Sequence, residues 1–480
     1  MKNYKNSFLA VLALIVAASV TLAYLGSGNS VLAQLFSSNH PFKDPLAIPA
    51  DIVAVRADLV QDKILKGSDG QVSVSLSMEA AESFRSDHRP AEHADIVIVL
   101  DRSGSMAGQK LSDARLAVMQ LIDQMTANDR LAIVTYSNGV QLLSPLVNMD
   151  EARRGQLKMV VGQVNADGGT NLGAGLKHGI QALMQTPASG RQRRVILISD
   201  GQANQGIVDP LEIGKMASGA AAHNFSVSTV GVGHDFNEIL MTTLADHGAG
   251  RYYFLEDPKR FALVFEKEFQ DTRNVAASGV EILVPLGKGI RLVNAGGYPI
   301  QVNDGQAVVR PGDLLSGQQR NFFLTFQVPT DKEEEFTLGK FQVRFNHNGA
   351  AHSVATSRQM ILACVNDPKE VSASIDASAW SARVIQEDFS QLKEGVAEAI
   401  AKGEKDKAMD QIREYETRNQ TINEAVGSEV VAGNLKTDVQ ALRQSVENIF
   451  TGAPAAVAEK KKQNSKALQF ESYQIRRDKK

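Results

Sequence analysis

The stretch Asp95-Ile96-Val97-Ile98-Val99-Leu100-Asp101-Arg102-Ser103-Gly104-Ser105-Met106 decides the architecture. Five consecutive aliphatic residues cannot alternate between a wet and a dry face, so they read as a strand buried on both sides. The run then breaks into Asp, Arg, Ser and Gly, the composition of a loop at a strand end. Similar short runs follow at Leu131-Ala132-Ile133-Val134, Val195-Ile196-Leu197-Ile198 and Val227-Ser228-Thr229-Val230. Helical stretches at about 110–125, 171–185, 210–222 and 258–269 accompany them. Strands apolar on both faces, alternating with helices, predict an α/β fold: a doubly wound, mostly parallel sheet sandwiched by helices over residues 94–272.

Outward from this block the rhythm changes. Residues 51–60 and 71–78 alternate polar and apolar positions, with Val72, Val74 and Leu76 set against Ser73, Ser75 and Ser77, as half-buried antiparallel strands do. The alternation returns after Asn274, at 280–284, 306–309, 322–328, 341–345 and 353–365. Two early segments are too few for a stable sheet, whereas pooled with the later ones they reach the roughly seven strands of a sandwich. The expectation is one antiparallel β-sandwich, its first strands in 51–93 and its remainder in 273–368, with the α/β domain inserted between them. A helical region follows over 376–450, where Ile385, Phe389, Leu392, Val396 and Ile400 form one apolar stripe and Leu435, Val439, Leu442, Val446 and Ile449 another. Residues 451–480 carry eight basic side chains against three acidic ones. They read as a disordered basic tail, with contact to an anionic membrane or polymer as the sharper alternative.

The averages of the 480-residue chain say less. They suit about three domains, and 43% hydrophobic residues exclude disorder throughout. A net charge of -3 from 51 basic and 54 acidic residues gives no sign of nucleic acid as a partner. That neutrality is a cancellation of +5 in the last thirty residues against -8 in the rest. At the other end, Lys2 and Lys5 precede a weakly polar run from Phe8 to Tyr24, and Val31-Leu32-Ala33 offers a cleavage site before Gln34. Residues 1–33 therefore read as a signal peptide or retained N-terminal anchor, and the proline-bearing stretch 34–50 as a linker. Either reading exports the body: periplasmic, membrane-anchored facing outside the cytoplasm, or secreted. Cys364 is the sole cysteine, so no intramolecular disulfide is available, and it reads as a small buried apolar residue.

The chemistry gathers at strand ends. In an open parallel sheet ligands bind beyond the carboxyl ends of the strands, where strand order reverses. Asp101 falls at such an end, with Ser103 and Ser105 spaced by alternate residues after it. Thr170, in Gly168-Gly169-Thr170-Asn171, precedes a helix, and Asp200 closes the strand around Val195–Ile198. Two carboxylates and three hydroxyls make an all-oxygen set without thiolate or imidazole, which suits a hard cation. So few carboxylates favour Mg²⁺, with Mn²⁺ or Ca²⁺ as alternatives. Three neutral donors leave the dication electrophilic toward an incoming carboxylate. Each of the five residues could instead serve as a helix cap or turn former, since Asp, Ser and Thr commonly do.

As a set, Asp101-x-Ser103-x-Ser105, Thr170 and Asp200 resemble the metal-ion-dependent adhesion site of the von Willebrand factor type A domain. The resemblance covers about 180 residues and implies that Ser103, Ser105 and Thr170 bind a metal, with Asp101 and Asp200 contacting it directly or through water. It also implies a protein partner whose acidic side chain completes the shell. The flanking β segments and C-terminal helices are similar in arrangement to bacterial exported proteins related to inter-alpha-trypsin inhibitor heavy chains and calcium-activated chloride channel regulators. Arg102 sits at a variable position and takes no role from the resemblance.

An enzyme is the rival class. Asp101 could accept a phosphoryl group beside Mg²⁺, yet the position two residues on, where a haloacid-dehalogenase-like phosphatase places its acid/base aspartate, is Ser103. No hydrolase elbow G-x-S-x-G occurs at a strand-to-helix turn, and His178, His223, His234 and His247 lack metal-ligand spacing. Gly231-Val232-Gly233-His234 reads as a turn rather than a nucleotide loop. A further alternative is a scaffold that binds through its sandwich or helices and keeps only a vestigial metal site.

Overall fold

The computed structural model describes residues 52–82, 93–186, 191–200, 202–233, 236–255, 257 and 260–477. The readings of 1–33 as signal or anchor and of 34–50 as linker lie outside the described residues.

Strands β1 (Val53–Leu59), β2 (Lys63–Leu65) and β3 (Gln71–Ala80) precede the α/β domain. Its sheet is built from β4 (Ala94–Asp101), β5 (Arg130–Tyr136), β6 (Val140–Asn148), β7 (Gln192–Ser199), β8 (Ser226–Val232) and β9 (Ala249–Leu255), in the order β6-β5-β4-β7-β8-β9. Every neighbouring pair runs parallel except β5 with β6. The chain leaves β4 for β5 on one flank and returns to β7 on the other, so β4 and β7 bracket the point where strand order reverses. The intervening helices are α1 (Gln109–Gln124), α2 (Glu151–Gly162), α3 (Leu172–Met184), α4 (Pro210–Ala222), α5 (Glu238–His247) and α6 (Phe261–Arg273). Ile96, Ile98 and Leu100 of β4 pack under α1, α2 and α6, while Val97 and Val99 pack under α3, α4 and α5. The unbroken aliphatic run is thus the signature of a strand with a helical layer on each face.

The local pattern does not reveal β6, β9, α2 or α5. Strand β6 is an edge strand that holds Pro145, is mostly exposed or half-buried and slips register twice against β5, so it has no clean period. In β9 the aliphatic run is replaced by Ala-Gly-Arg-Tyr-Tyr-Phe-Leu, whose aromatic residues are shared between the sheet and the C-terminal helix described below.

After α6 come β10 (Val275–Pro285), β11 (Arg291–Ala295), β12 (Ile300–Asn303), β13 (Gln306–Val309), β14 (Leu314–Leu315), β15 (Gln319–Gln327), β16 (Glu335–Leu338), β17 (Gln342–His347), β18 (Ala350–Ala355) and β19 (Met360–Val365). One antiparallel sheet runs β1-β3-β15-β11 and a second β12-β13-β10-β17-β18, with β14 also on β10. A small third sheet, β16-β19-β2, brings β2 parallel to β19 and sets Ile64 opposite Cys364, which is buried. β3 pairs with β15 from Gln71↔Gln327 to Gln319↔Glu79, although the whole α/β domain lies between them in sequence. Val74, Leu76 and Met78 pack with Ile282, Val284, Leu324 and Phe326 in one core. The opposite face is partly covered: Ser73 and Thr325 share a hydrogen bond at 2.9 Å and Phe323 packs into the helical region, while Gln71 and Glu79 stay exposed.

That region contains α7 (Pro368–Ala373), α8 (Ala377–Arg383), α9 (Phe389–Lys402), α10 (Lys405–Val426), α11 (Glu429–Gly433), α12 (Val439–Ile449) and α13 (Pro454–Arg477), with π-helical turns at Val384–Asp388 and Asn434–Asp438. Phe389, Leu392, Val396 and Ile400 meet Val439, Leu442, Val446 and Ile449 in its core. The expectation of a disordered tail over 451–480 is overturned for residues 454–477, which are the helix α13; residues 478–480 lie outside the described residues. Leu468 and Tyr473 are buried, and Phe470 and Tyr473 stand edge-on to Tyr252 of β9 at 5.8 and 5.5 Å. Lys466 donates to the Phe236 carbonyl and pairs with Glu238, each at 2.6 Å, while Arg476 and Arg477 pair with Asp246. Composition counts these cations as a solvated run because it does not contain the acids of α5 that neutralise them. No helix among the described residues is long and apolar enough to cross a membrane.

Candidate functional site

Asp101 is the last residue of β4, and Asp200 follows β7 directly, so the parallel pairing of Leu100 with Ile198 delivers both carboxylates to the same sheet edge. Both are fully buried. Asp101 Oδ1 accepts from Ser103 N at 2.8 Å, which turns the chain sharply, and Oδ2 accepts from Ser199 Oγ at 2.7 Å. The Ser103 and Ser105 hydroxyls lie 3.1 Å apart, and Ser105 Oγ donates to Asp200 Oδ1 at 2.8 Å. Four of the five expected residues therefore form one hydrogen-bonded run, in which Ser103 joins Asp101 through its backbone N–H and Ser105 through its hydroxyl. Met106, fully buried in the core under α1, anchors the loop, whereas Ser105 is exposed and marks the open side.

Thr170 arrives on the loop after α2. Gly168 adopts φ +71 and its carbonyl accepts from Gly104 N at 3.0 Å, and Asp167 N donates to the Arg102 carbonyl at 2.8 Å. These bonds clamp the Thr170 loop to the Asp101 loop. Asn204 holds it from the other side, accepting from Thr170 N at 2.9 Å and donating from its own N to the Thr170 carbonyl at 3.1 Å. Thr170 is buried at 3% exposure. Below the site, Tyr136 at the end of β5 donates to the Ile198 carbonyl at 3.2 Å, and its ring lies where a Cβ on Gly175 of α3 would fall, at 2.6 Å.

Capping explains little of this set. Ser103 precedes a short 3₁₀ turn but its side chain makes no capping bond, and α3 is capped by Asn171, whose Oδ1 accepts from Ala174 N at 3.3 Å. Only the bond from Ser103 N to Asp101 is turn work.

Sequence reading missed Ser199, Asn204 and Lys110. Lys110, in the first turn of α1, places Nζ 2.5 Å from Asp200 Oδ2 and 3.4 Å from the Ser105 carbonyl. Nothing in the local pattern separates it from other lysines, since Ala107 and Gly108 break the helix between Ser105 and Lys110. Arg102, given no role, pairs with Asp167 and so helps bind the two loops. His178 and His223 bond to carbonyls of their own helices, and His247 to Ser218, all away from the oxygen chain.

Burial pushes the Asp101 carboxyl above its usual range, opposed by the hydrogen bonds from Ser103 and Ser199 and reinforced by the Asp200 charge. Two buried carboxylates at one sheet edge, with hydroxyls between them, fit a small hard cation. Among the described residues no cluster of three or more His, Cys, Asp or Glu is placed to hold a metal, so a cation here would depend on hydroxyl oxygens as well.

The family model of the von Willebrand factor type A domain matches residues 95–267. An uncharacterized Synechocystis protein is 26% identical over 311 residues, covering 62% of this chain and 70% of its own length. Inter-alpha-trypsin inhibitor heavy chain H3 from Mesocricetus auratus is 27% identical over 241 residues, 48% of this chain; the match spans only 27% of that protein. Among solved structures, a von Willebrand factor type A protein from Catenulispora acidiphila superposes with a TM-score of 0.66 at 18% identity, covering 88% of this chain and 96% of the other.

Proposed function

Residues 95–267 are a von Willebrand factor type A domain, and from that premise we propose that the chain is an exported, Mg²⁺-dependent binding protein that captures an acidic side chain of a protein partner. Domains of this family are interaction and adhesion modules. The observation that carries the reading is the hydrogen-bonded run Asp101–Ser103–Ser105–Asp200, clamped to the Thr170 loop at the point where strand order reverses. Ser103, Ser105 and Thr170 would ligate the ion, with Asp101 and Asp200 contacting it directly or through water. Bound there, Mg²⁺ supplies an open coordination position for a carboxylate; Mn²⁺ or Ca²⁺ are the alternative ions.

The chain's own residues do the positioning. Ser199 holds Asp101, Asn204 holds the Thr170 backbone, and exposed Ser105 leaves the site open to a partner. The N-terminal pattern of residues 1–33 supports export to the cell envelope, as a periplasmic, membrane-anchored or secreted protein. Lys466, Arg476 and Arg477 are paired within the fold, so the anionic contact suggested for the tail would have to use its other cations.

The test is partner capture from envelope extract by crosslinking, run with Mg²⁺, with chelator, and with Asp101→Ala combined with Asp200→Ala. Capture should vanish with chelator and in the double variant, and return with Mg²⁺ or Mn²⁺ only for the wild type. Unchanged capture in the double variant would refute the metal bridge and leave a scaffold acting through its sandwich or helices. Metal-dependent phosphatase turnover on generic substrates, lost in Asp101→Asn, would instead make the chain an enzyme.

A further inference from the structure

Lys110 is the unexpected member of the site. Its side chain is 28% exposed, yet its ammonium rests on Asp200, a carboxylate with no exposure at all, at 2.5 Å. The other Asp200 oxygen takes the Ser105 hydroxyl, so the aspartate is held from both sides. Nor is the lysine a passing surface contact. It projects from the first turn of α1, its stem runs beside the backbone of Gly233 after β8, and it also reaches the Ser105 carbonyl.

We propose that Lys110 is a built-in cation of the metal site, which lowers its affinity for a divalent ion and keeps the loaded site positive toward an anionic partner. The inference rests on the reading of Asp101, Ser103, Ser105, Thr170 and Asp200 as a metal site, and deepens it. The charges make the argument. Two carboxylates alone carry -2; with Lys110 the site carries -1. A dication then brings it to +1 rather than to neutrality, which favours an incoming carboxylate and disfavours tight retention of the ion itself. Before loading, the same ammonium neutralises Asp200, whose burial as a lone charge would otherwise be costly. The site is thus stable without metal and receptive with it.

Mn²⁺ binding to the full chain, read by electron paramagnetic resonance and checked with Mg²⁺ by calorimetry, tests this directly. Lys110→Met keeps the stem and removes the charge; it should bind Mn²⁺ about tenfold more tightly, the order expected for deleting a like charge beside a dication at partly hydrated range. Its thermal midpoint should fall in chelator and recover with Mg²⁺ by more than the wild type gains. Lys110→Arg retains the charge and should stay within about twofold of wild-type affinity, which separates charge from packing. Equal or weaker binding by Lys110→Met, with wild type binding normally and Lys110→Arg folded, overturns the role of Lys110 alone. If neither wild type nor Lys110→Met binds Mn²⁺, the metal-site reading falls and this inference falls with it.

Discussion

Replacing Tyr473 by alanine measures how firmly the C-terminal helix is joined to the type A domain. The ring is 2% exposed and edge-on to Tyr252 at 5.5 Å, and its hydroxyl accepts from the Tyr252 backbone N at 3.0 Å. Truncating a buried aromatic residue costs about 3–5 kcal/mol. Leaving the buried Tyr252 N–H without a partner adds about 1–3 kcal/mol. The expected loss for Tyr473→Ala is therefore about 4–8 kcal/mol at this junction, against about 1–3 kcal/mol for Tyr473→Phe, which keeps the ring and removes the hydroxyl. Urea unfolding followed by fluorescence reads it, because Trp380 is the only tryptophan and sits buried in the helical core that α13 also joins. Multi-domain unfolding need not be two-state, so limited trypsin digestion supplies a second measure. Lys466, paired and 5% exposed, should become a cleavage site in Tyr473→Ala and stay protected in Tyr473→Phe. A loss under about 1 kcal/mol in Tyr473→Ala, with equal digestion of wild type and variant, would refute the docking and restore the reading of a solvated tail.

Glu387, in the π-helical turn against β11 and β15, accepts from Asn294 Nδ2 at 2.6 Å. Burial, opposed by Arg383 and reinforced by Asp388, pushes its carboxyl up from 4.5 to about 7. The folded value lies above the unfolded one, so this stability is complete below about pH 4.5 and is lost as pH rises through 7. Glu387→Gln should remove that loss, melting higher than wild type at pH 8 by up to about 3 kcal/mol and nearly alike at pH 5; parallel midpoints at both pH values would contradict it. Gly175→Ala places a methyl 2.6 Å from the Tyr136 ring beneath the site and should destabilise by about 1–3 kcal/mol in calorimetry. Gly219→Ala, in α4 with nothing within 4 Å, should instead stabilise by about 0.5–1 kcal/mol. Similar effects from the two would show that helical propensity alone is being measured.

The α/β architecture was legible because it is written in local periodicity. Ile96–Leu100 must be covered on two faces, and a strand covered on two faces by helices belongs to a parallel sheet. The oxygen donors were legible for a related reason: Asp101, Ser103 and Ser105 lie within one turn, and Asp200 ends a recognisable strand. The edge strand β6 was not, since its exposed and half-buried residues carry no period that burial would impose.

Asp101, Ser103, Ser105, Thr170 and Asp200 were named by the sequence itself, as were the alternating strands on either side of the inserted domain. What only the tertiary structure decided is which charges meet. Lys110 and Asp200 lie ninety residues apart, and Lys466 and Glu238 more than two hundred. A lysine in a basic run and one that neutralises a buried aspartate have the same local sequence. They differ in the Coulomb energy and desolvation set by a partner brought close through the folding of the whole chain. The last helix is not legible locally for that reason: its Lys466, Arg476 and Arg477 are neutralised, and its aromatic face covered, by α5 and β9, which the residues around it do not encode.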